Sequence, residues 1–582
     1  ATSKGGTIVA REGLLDSLQA KFGKDLNVNR PLKYIYHSKK INDTKETLLQ
    51  IKHIIIQESL SKNKKDLENL VIYFNKKLKL KKDDVDLTIG LGNALEKLQE
   101  ERRLKKLFLS FDKNIIGSEI IKKRLADIFY KEENFTKAVE NYEFYLNNKK
   151  NKYNKDLYIK IIDCFYNLKR YDKCSDYLHI CLENSTEFSS EVLLLFGNVF
   201  LKSKKYEKAI EQFLNGIQII TKYLKKIETL SLTSEKSNKI NKENFLEAIK
   251  YSSPQSLFPK FLNNIGNAHN KIGNYNEAEK FLIKAISLEK NPYTLNNLAL
   301  SLKAQGKKRD ALNYLLNAIQ IETKSAKIYF NLAEIYLSMN DINQSQKFLN
   351  ETIKLDPNHE GAKLKSEILN GHFKGKIPLK YLERHFDDYS ETFDKYLLST
   401  LHYKVPLAFS KIMKSKYEKN YSLNSILDLG CGTGLCGIQI KNNFNKLVGI
   451  DISKQMLNKA KQRSIYTKLI CTDIINFLKN TKQKYEIIMA ADVLIYLGDL
   501  NQLFKFVRNV MFNNARFIFS TEETKKGEYM INQNGRFSHS HYYITKISQK
   551  YELIIETYQD IKIRKENNKW VNGKIFTVMK NH

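Results

Sequence analysis

The stretch "ILDLGCGTG", residues 426–434, decides how the rest of the chain is read. Four residues of strand character run into Gly430, Gly432 and Gly434, spaced two apart. Glycines in such a turn are needed where a Cβ would keep the backbone from a ligand, or where φ must be positive. The helix that follows presents free N–H groups to whatever occupies the turn. Around this point the apolar period changes: SILDLGC (425–431), KLVGIDI (446–452), TKLICTD (467–473), YEIIMAADV (485–493) and ARFIFST (515–521) alternate with SKQMLNKAKQR, IINFLKN and LNQLFKFVRNVM. The short runs predict buried parallel strands and the longer ones intervening helices. YELIIETYQDIKIRK (551–565) and KIFTVMK (574–580) add two closing strands. The expectation is a seven-stranded, doubly wound α/β sheet of Rossmann type with a C-terminal antiparallel hairpin, binding its ligand at the carboxyl ends of the strands.

The glycines alone do not choose the ligand. GTGLCG (432–437) satisfies GxGxxG, and Asp451 lies 21 residues beyond Gly430, where an acid holds ribose hydroxyls of NAD or of S-adenosylmethionine. Three features favour the second. Asp428 precedes the turn, and a carboxylate there suits an ammonium and a sulfonium but repels pyrophosphate. Asp473 ends the third strand in CTDI, placed to accept from an exocyclic adenine amine. The closing hairpin separates methyltransferases from dehydrogenases.

On IPLKYLERHFDDYSETFDKYL (377–397), ILDLGCGTGLCG (426–437), GIDIS (449–453), CTDI (471–474), ADVLIY (491–496) and GRFSHS (535–540), residues 375–582 resemble the class I S-adenosylmethionine-dependent methyltransferases, and more closely the bacterial tetratricopeptide-containing predicted methyltransferases. The resemblance implies that Gly430, Cys431, Gly432 and Gly434 wrap the methionine moiety. It implies that Asp451 binds the ribose with Ile452 beside the adenine, and that Met456, Asp473 and Ile474 pack and hold the adenine. The backbone around Ala490 and Ala491 would face the methionyl amine.

Methyl transfer to an acceptor needs positioning and exclusion of water more than proton chemistry. HFDDYSETFDKYL (385–397) predicts a helix over the cofactor with Phe386, Tyr389 and Phe393 on one face, and Tyr389 is the expected lid residue. His539, in GRFSHSHYY, is the candidate base or acceptor-orienting group, because histidine titrates near neutrality. An N-terminal capping role for Ser538 or Ser540, with His539 on the helix's first turn, is the alternative. Glu522, Glu523, Asp492 and Tyr496 are expected to point toward the same region. No NPPY-type acceptor loop is present, since that position reads AADVLIY.

Upstream, FGNVFLKSKKYEKAIEQF (196–213), IGNAHNKIGNYNEAEKFL (265–282), LALSLKAQGKKRDALNYL (298–315) and LAEIYLSMNDINQSQKFL (332–349) each pair one small residue with another twelve positions on: Gly197 with Ala209, Gly266 with Ala278, Ala299 with Ala311, Ala333 with Ser345. The last three recur every 33 or 34 residues. Small residues let two antiparallel helices approach, and the period and pattern resemble the tetratricopeptide repeat. Weaker copies carry Ala126 with Ala138 and Ile162 with Cys174, and a fainter one starts near Gly92. The expected division is a helical segment 1–60, a repeat array 61–370 with an insertion near 221–258, a helical lid or linker 375–415, and the α/β domain 416–582. Such a solenoid is expected to hold a protein or peptide, the alternative being that it serves oligomerisation around a small-molecule enzyme.

Charge adds little. The 97 basic and 64 acidic residues give +33, but only 13 of the 97 are Arg, and the Lys are scattered rather than gathered on a stripe. Specific phosphate and base recognition favours Arg, so a nucleic-acid partner is disfavoured. The six cysteines form no CxxC pair, which indicates neither a metal site nor a disulfide framework; Cys164, Cys174, Cys181 and Cys436 are read as packing residues. With no membrane-length apolar run and no secretory-type N-terminus, a cytoplasmic protein is expected.

Overall fold

The computed structural model describes residues 64–111, 115–148, 153–233, 255–373, 375–416, 425–440, 444–566 and 569–581. The segment 1–60 lies outside them. The chain divides into two units, Ala1–Phe188 and Ser189–His582.

In the first unit, helices Val85–Lys97 and Glu101–Leu109, Ser118–Lys131 and Phe135–Asn148, and Lys155–Asn167 and Tyr171–Asn184 form successive hairpins. Ala126, Ala138 and Cys174 are fully buried where helices cross. The turn inside each hairpin holds one left-handed residue: Gln99 (φ 59), Glu133 (φ 57) and Lys169 (φ 58).

The second unit continues the pattern with Ser190–Lys202 and Tyr206–Thr233, Phe258–Lys271 and Tyr275–Leu288, Pro292–Ala304 and Lys308–Ile321, and Ala326–Ser338 and Ile342–Leu355, closed by Glu360–Leu369. A Cβ at Gly197 would lie 2.2 Å from the Phe213 ring, and one at Gly266 would lie 2.4 Å from Leu282 Cγ. In both hairpins the partner is sixteen residues on, so the small residue admits a large side chain of the returning helix. Asparagines tie neighbouring repeats: Asn297 Nδ2 donates to Asn263 Oδ1 (3.0 Å) and Asn331 Nδ2 to Asn296 Oδ1 (2.7 Å). The left-handed turn recurs at Lys204 (φ 60), Gly273 (φ 74), Gly306 (φ 82) and Asn340 (φ 66). The break expected at 221 starts later, since helix Tyr206–Thr233 runs for 28 residues; the rest of the expected insertion, 234–254, is outside the described residues.

The α/β domain is a sheet of β1 (Ile426–Leu429), β2 (Leu447–Asp451), β3 (Lys468–Cys471), β4 (Tyr485–Ala490), β5 (Met511–Glu523), β6 (Tyr529–Ile531), β7 (Phe537–His539), β8 (Leu553–Glu566) and β9 (Lys569–Lys580). β3, β2, β1, β4 and β5 are parallel neighbours, and β9 joins β5 and β8 antiparallel. Among the described residues nine strands stand where seven were expected. The cause is the length of β5: β4 last pairs with it at Phe519, and the bare edge beyond is taken by β7 at Glu522 and Glu523, with β6 outside β7. Successive residues alternate between two covered faces. Leu427, Val448, Ile488 and Phe517 pack on one, while Ile426, Leu447, Ile487 and Ile518 pack on the other with Val405, Phe409 and Met413. Helix Val405–Lys416, within the expected lid or linker 375–415, is therefore part of the sheet's core. No helix among the described residues is long and apolar enough to cross a membrane.

Candidate active site

A cavity opens at the carboxyl ends of β1, β2 and β4, lined by Asp428, Gly430, Cys431, Gly432, Thr433, Asp451, Ile452, Met456, Asp473 and Ile474 among others. All three turn glycines have positive φ, 67° at Gly430, 54° at Gly432 and 87° at Gly434, but they serve different neighbours. A Cβ on Gly430 would meet Val493 Cγ2 at 2.4 Å, whereas one on Gly432 would have only Phe393, at 3.8 Å. Gly430 admits a protein side chain; Gly432 leaves the cavity floor bare. Gly434 is not on the cavity wall and packs under Tyr466 and Arg463, because the turn has already rotated it away. Cys431 N–H donates to Ile450 O (2.9 Å), pinning the turn to β2.

Two buried carboxyl groups face this floor. Burial lifts the Asp428 carboxyl to about 7, against the Tyr466 O–H that donates to its Oδ2 at 2.7 Å, while nearby Asp451 raises it further. Burial also lifts Asp451, to about 6, against hydrogen bonds from Ser453 N (2.8 Å) and Gly432 N (2.9 Å). Each is a carboxylate kept short of solvation, which a cation or a set of hydroxyls would relieve. Asp473 caps helix Ile474–Asn480, accepting from Asn476 N at 2.8 Å through Oδ2. Ile452, Met456, Ile474 and Ile475 give the apolar wall between these acids. Ala490 is fully buried inside the sheet, paired with Phe519, and off the cavity wall; its neighbour Ala491 lines it instead.

Besides Gly434 and Ala490, two more expected residues, Tyr389 and His539, lie off the cavity. Helix Leu379–Tyr389 ends at Tyr389 and a new turn begins at Phe393–Lys395, so the single face predicted for Phe386, Tyr389 and Phe393 does not exist. Phe386 and Phe393 line the cavity, while Tyr389, 45% exposed, sits against His385 (4.8 Å between centroids). His539 ends β7 and precedes the helix that Ser540 caps, with Ser540 Oγ accepting from Tyr543 N. Its ring is buried between Tyr529 and Tyr543, its Nε2 is 3.0 Å from Gly498 O, and burial holds its pKa down at about 4. It lies off the cavity, because it belongs to the β6–β7 pair, where it stands opposite Tyr529.

The far end of the cavity holds residues that the sequence reading missed. Arg564, 0% exposed, bonds Asp492 (2.8 Å), Glu566 (2.7 Å) and Glu522, and Arg536 also bonds Glu566. Strand alternation hides Arg564: a register shift between Lys562 and Arg564 turns it inward beside Ile563. Asp492 and Tyr496 line the cavity as anticipated, whereas Glu522 and Glu523 do not. Asp492 is left-handed (φ 60), its N–H donates to Ser520 Oγ (2.8 Å), and its Oδ1 is buried without a partner. Tyr403 joins this end. Among the described residues no cluster of His, Cys, Asp and Glu is arranged to hold a metal.

Residues 421–571 match the family model described as a methyltransferase domain, and residues 259–292 and 302–368 match tetratricopeptide repeat models. The malonyl-[acyl-carrier protein] O-methyltransferase of Bacillus anthracis is 27% identical over 147 residues, covering 24% of this chain and 52% of that one. A ubiquinone biosynthesis O-methyltransferase of Rickettsia akari is 24% identical over 180 residues, covering 28% and 67%. The chain spans 18% of a further relative, the biotin biosynthesis bifunctional protein BioHC of Saccharophagus degradans, at 28% identity over 16% of this chain. Among solved structures, an S-adenosylmethionine-dependent methyltransferase from Clostridium acetobutylicum aligns over 34% of this chain and 100% of its own, at 19% identity and a TM-score of 0.27. An N-methyltransferase from Bradyrhizobium japonicum aligns over 34% and 98%, at 14% identity and a TM-score of 0.29. Residues 421–571 thus form a methyltransferase domain, in a chain that also carries tetratricopeptide repeats.

Proposed function

We propose that the chain transfers a methyl group from S-adenosylmethionine to an oxygen or nitrogen of a protein or peptide acceptor recruited by the repeats. One observation carries the reading: two buried, under-solvated carboxyl groups, Asp428 and Asp451, flank the bare backbone of Gly432. That donor set fits a ligand presenting an ammonium, a sulfonium and ribose hydroxyls, and it does not fit a pyrophosphate. Asp451 takes the ribose hydroxyls on its remaining lone pairs. Asp473, with one oxygen engaged in its cap, offers the other to the adenine amine, and Ile452, Met456 and Ile474 hold the base by packing. Gly430, Cys431 and Gly432 supply the surface for the methionine moiety, with Gly434 fixing the turn beneath.

The bound cofactor supplies a methyl group already activated by the sulfonium, so the protein's task is alignment and dryness. Phe386, Phe393, Leu382 and Leu397 close the cavity against water. The unpartnered Asp492 Oδ1 receives the acceptor's O–H or N–H. Its other oxygen, tied to Arg564, and its backbone, tied to Ser520, keep it aimed. A small-molecule acceptor is the second reading; the names of the curated relatives, which act in ubiquinone biosynthesis and on a carrier-bound malonyl group, favour it. We place the reaction in the cytoplasm, where the six free thiols stay reduced.

Incubation of the full chain with methyl-tritiated S-adenosylmethionine and native lysate tests the assignment. Label precipitated with protein and sensitive to protease is expected. Label appearing only in acid-soluble compounds replaces the first reading with the second, and no transfer to either pool rejects both.

A further inference from the structure

The lid segment 379–400 is held from two sides. On the methyltransferase side, Asp387 Oδ1 accepts from Ser453 Oγ (2.6 Å) and Gln455 N (3.2 Å), Glu391 pairs with Lys459 (2.5 Å), and Asp394 accepts from Thr433 Oγ1 (2.5 Å) and pairs with Arg463. On the other side the partners come from the repeats. Lys204 Nζ donates to the backbone oxygen of Asp387 (3.0 Å), and Lys395 Nζ donates to Gly273 O (3.1 Å) and Asn274 Oδ1 (3.3 Å). A Cβ built on Gly273 would lie 3.3 Å from Thr392.

Lys204 and Gly273 occupy equivalent places: each is the left-handed residue in the turn of its hairpin. The lid thus rests on the turns of two repeats. From each, a short bonded path reaches the cofactor pocket. One runs from Lys204 through Asp387 to Ser453, whose N–H holds Asp451. The other runs from Gly273 through Lys395 to its neighbour Asp394, which holds Thr433 inside the glycine turn.

We propose that the repeat array is the outer mount of the cofactor lid, with Lys204 and Lys395 as positioning residues for S-adenosylmethionine. Neither lines the cavity, so both act through Asp387 and Asp394. The inference rests on the proposed cofactor, and it gives the repeats a part in the site whatever acceptor they bring. Charge-assisted hydrogen bonds of this kind, once lost, release the segment they hold.

The test is calorimetric titration of the full chain with S-adenosylhomocysteine, in wild type, Lys204→Met/Lys395→Met and Lys204→Arg/Lys395→Arg. The Met pair is expected to raise Kd about tenfold and the Arg pair to restore it to within about threefold. Backbone hydrogen exchange at 379–400 gives a second readout, expected to quicken in the Met pair while helices of residues 64–188 keep wild-type rates. Wild-type protein that binds no S-adenosylhomocysteine overturns the cofactor assignment itself. Wild-type binding with a Met-pair Kd within twofold, or unchanged exchange at 379–400, overturns the mount.

Discussion

Small residues do opposite jobs in the two halves of the second unit. In the repeats, Gly197 and Gly266 make room for Phe213 and Leu282, sixteen residues on in the same hairpin. In the catalytic domain, Gly430 makes room for Val493 from a separate strand end, and Gly432 makes room for nothing the protein supplies. A glycine that packs locally can be found by period. A glycine that packs across a sheet can be found only by the turn it sits in, and its partner cannot be found at all. The contrast also bears on the proposed site: Gly432, the turn glycine on the cavity with no close protein neighbour, is where we propose the ligand lies.

Substitutions can break this comparison, beginning with the largest effect. Arg564→Met leaves the buried Glu522 and the cavity acid Asp492 uncompensated, and costs about 3–5 kcal/mol in urea unfolding of the catalytic domain. A loss below 1 kcal/mol would mean that the carboxylates find water or protons instead. Gly430→Ala pushes a methyl into Val493 at positive φ and is expected to cost about 2–3 kcal/mol and abolish cofactor binding. Gly432→Ala, with the same backbone strain and no collision, costs about 1 kcal/mol yet also loses cofactor binding. Equal stability losses for the two would erase the distinction drawn above. Gly266→Val overpacks one repeat by about 1–3 kcal/mol, read by urea unfolding.

A further effect is on pH. The carboxyls of Asp428 and Asp451 keep their protons to about 7 and about 6 in the folded protein, above the unfolded range near 4. Their contribution to stability is therefore full below about pH 4 and lost as pH rises through 6 and 7. The ligand-free protein should melt lower at pH 7.5 than at pH 5.5 on their account, while S-adenosylmethionine affinity rises over the same interval as they ionise. Conversion of both to Asn should flatten the melting profile.

The run of strands, the glycine turn and the acids at strand ends were legible because each leaves a local mark: an apolar run, a DxGxG, a carboxylate at a strand's end or two residues past it. Asp492 and Tyr496 were legible for the same reason. What escaped is set by distance or by a break in period. Tyr466 reaches Asp428 from 38 residues away. Arg564 is turned inward by a bulge that alternation does not record. Tyr389 was misplaced because its helix stops there, and His539 belongs to a strand pair that only the long β5 edge recruits. The repeats were legible from their small residues, yet their contact with the lid was not, since Lys204 and Lys395 look like any of 84 lysines.

The central claim is that a cationic nucleoside ligand sits over Gly432 between Asp428 and Asp451. Calorimetric titration of S-adenosylmethionine into wild type and Asp451→Ala tests it most directly. Saturable one-to-one binding in wild type, lost in the variant while its melting temperature is kept, is the predicted result; undiminished affinity in Asp451→Ala would contradict it.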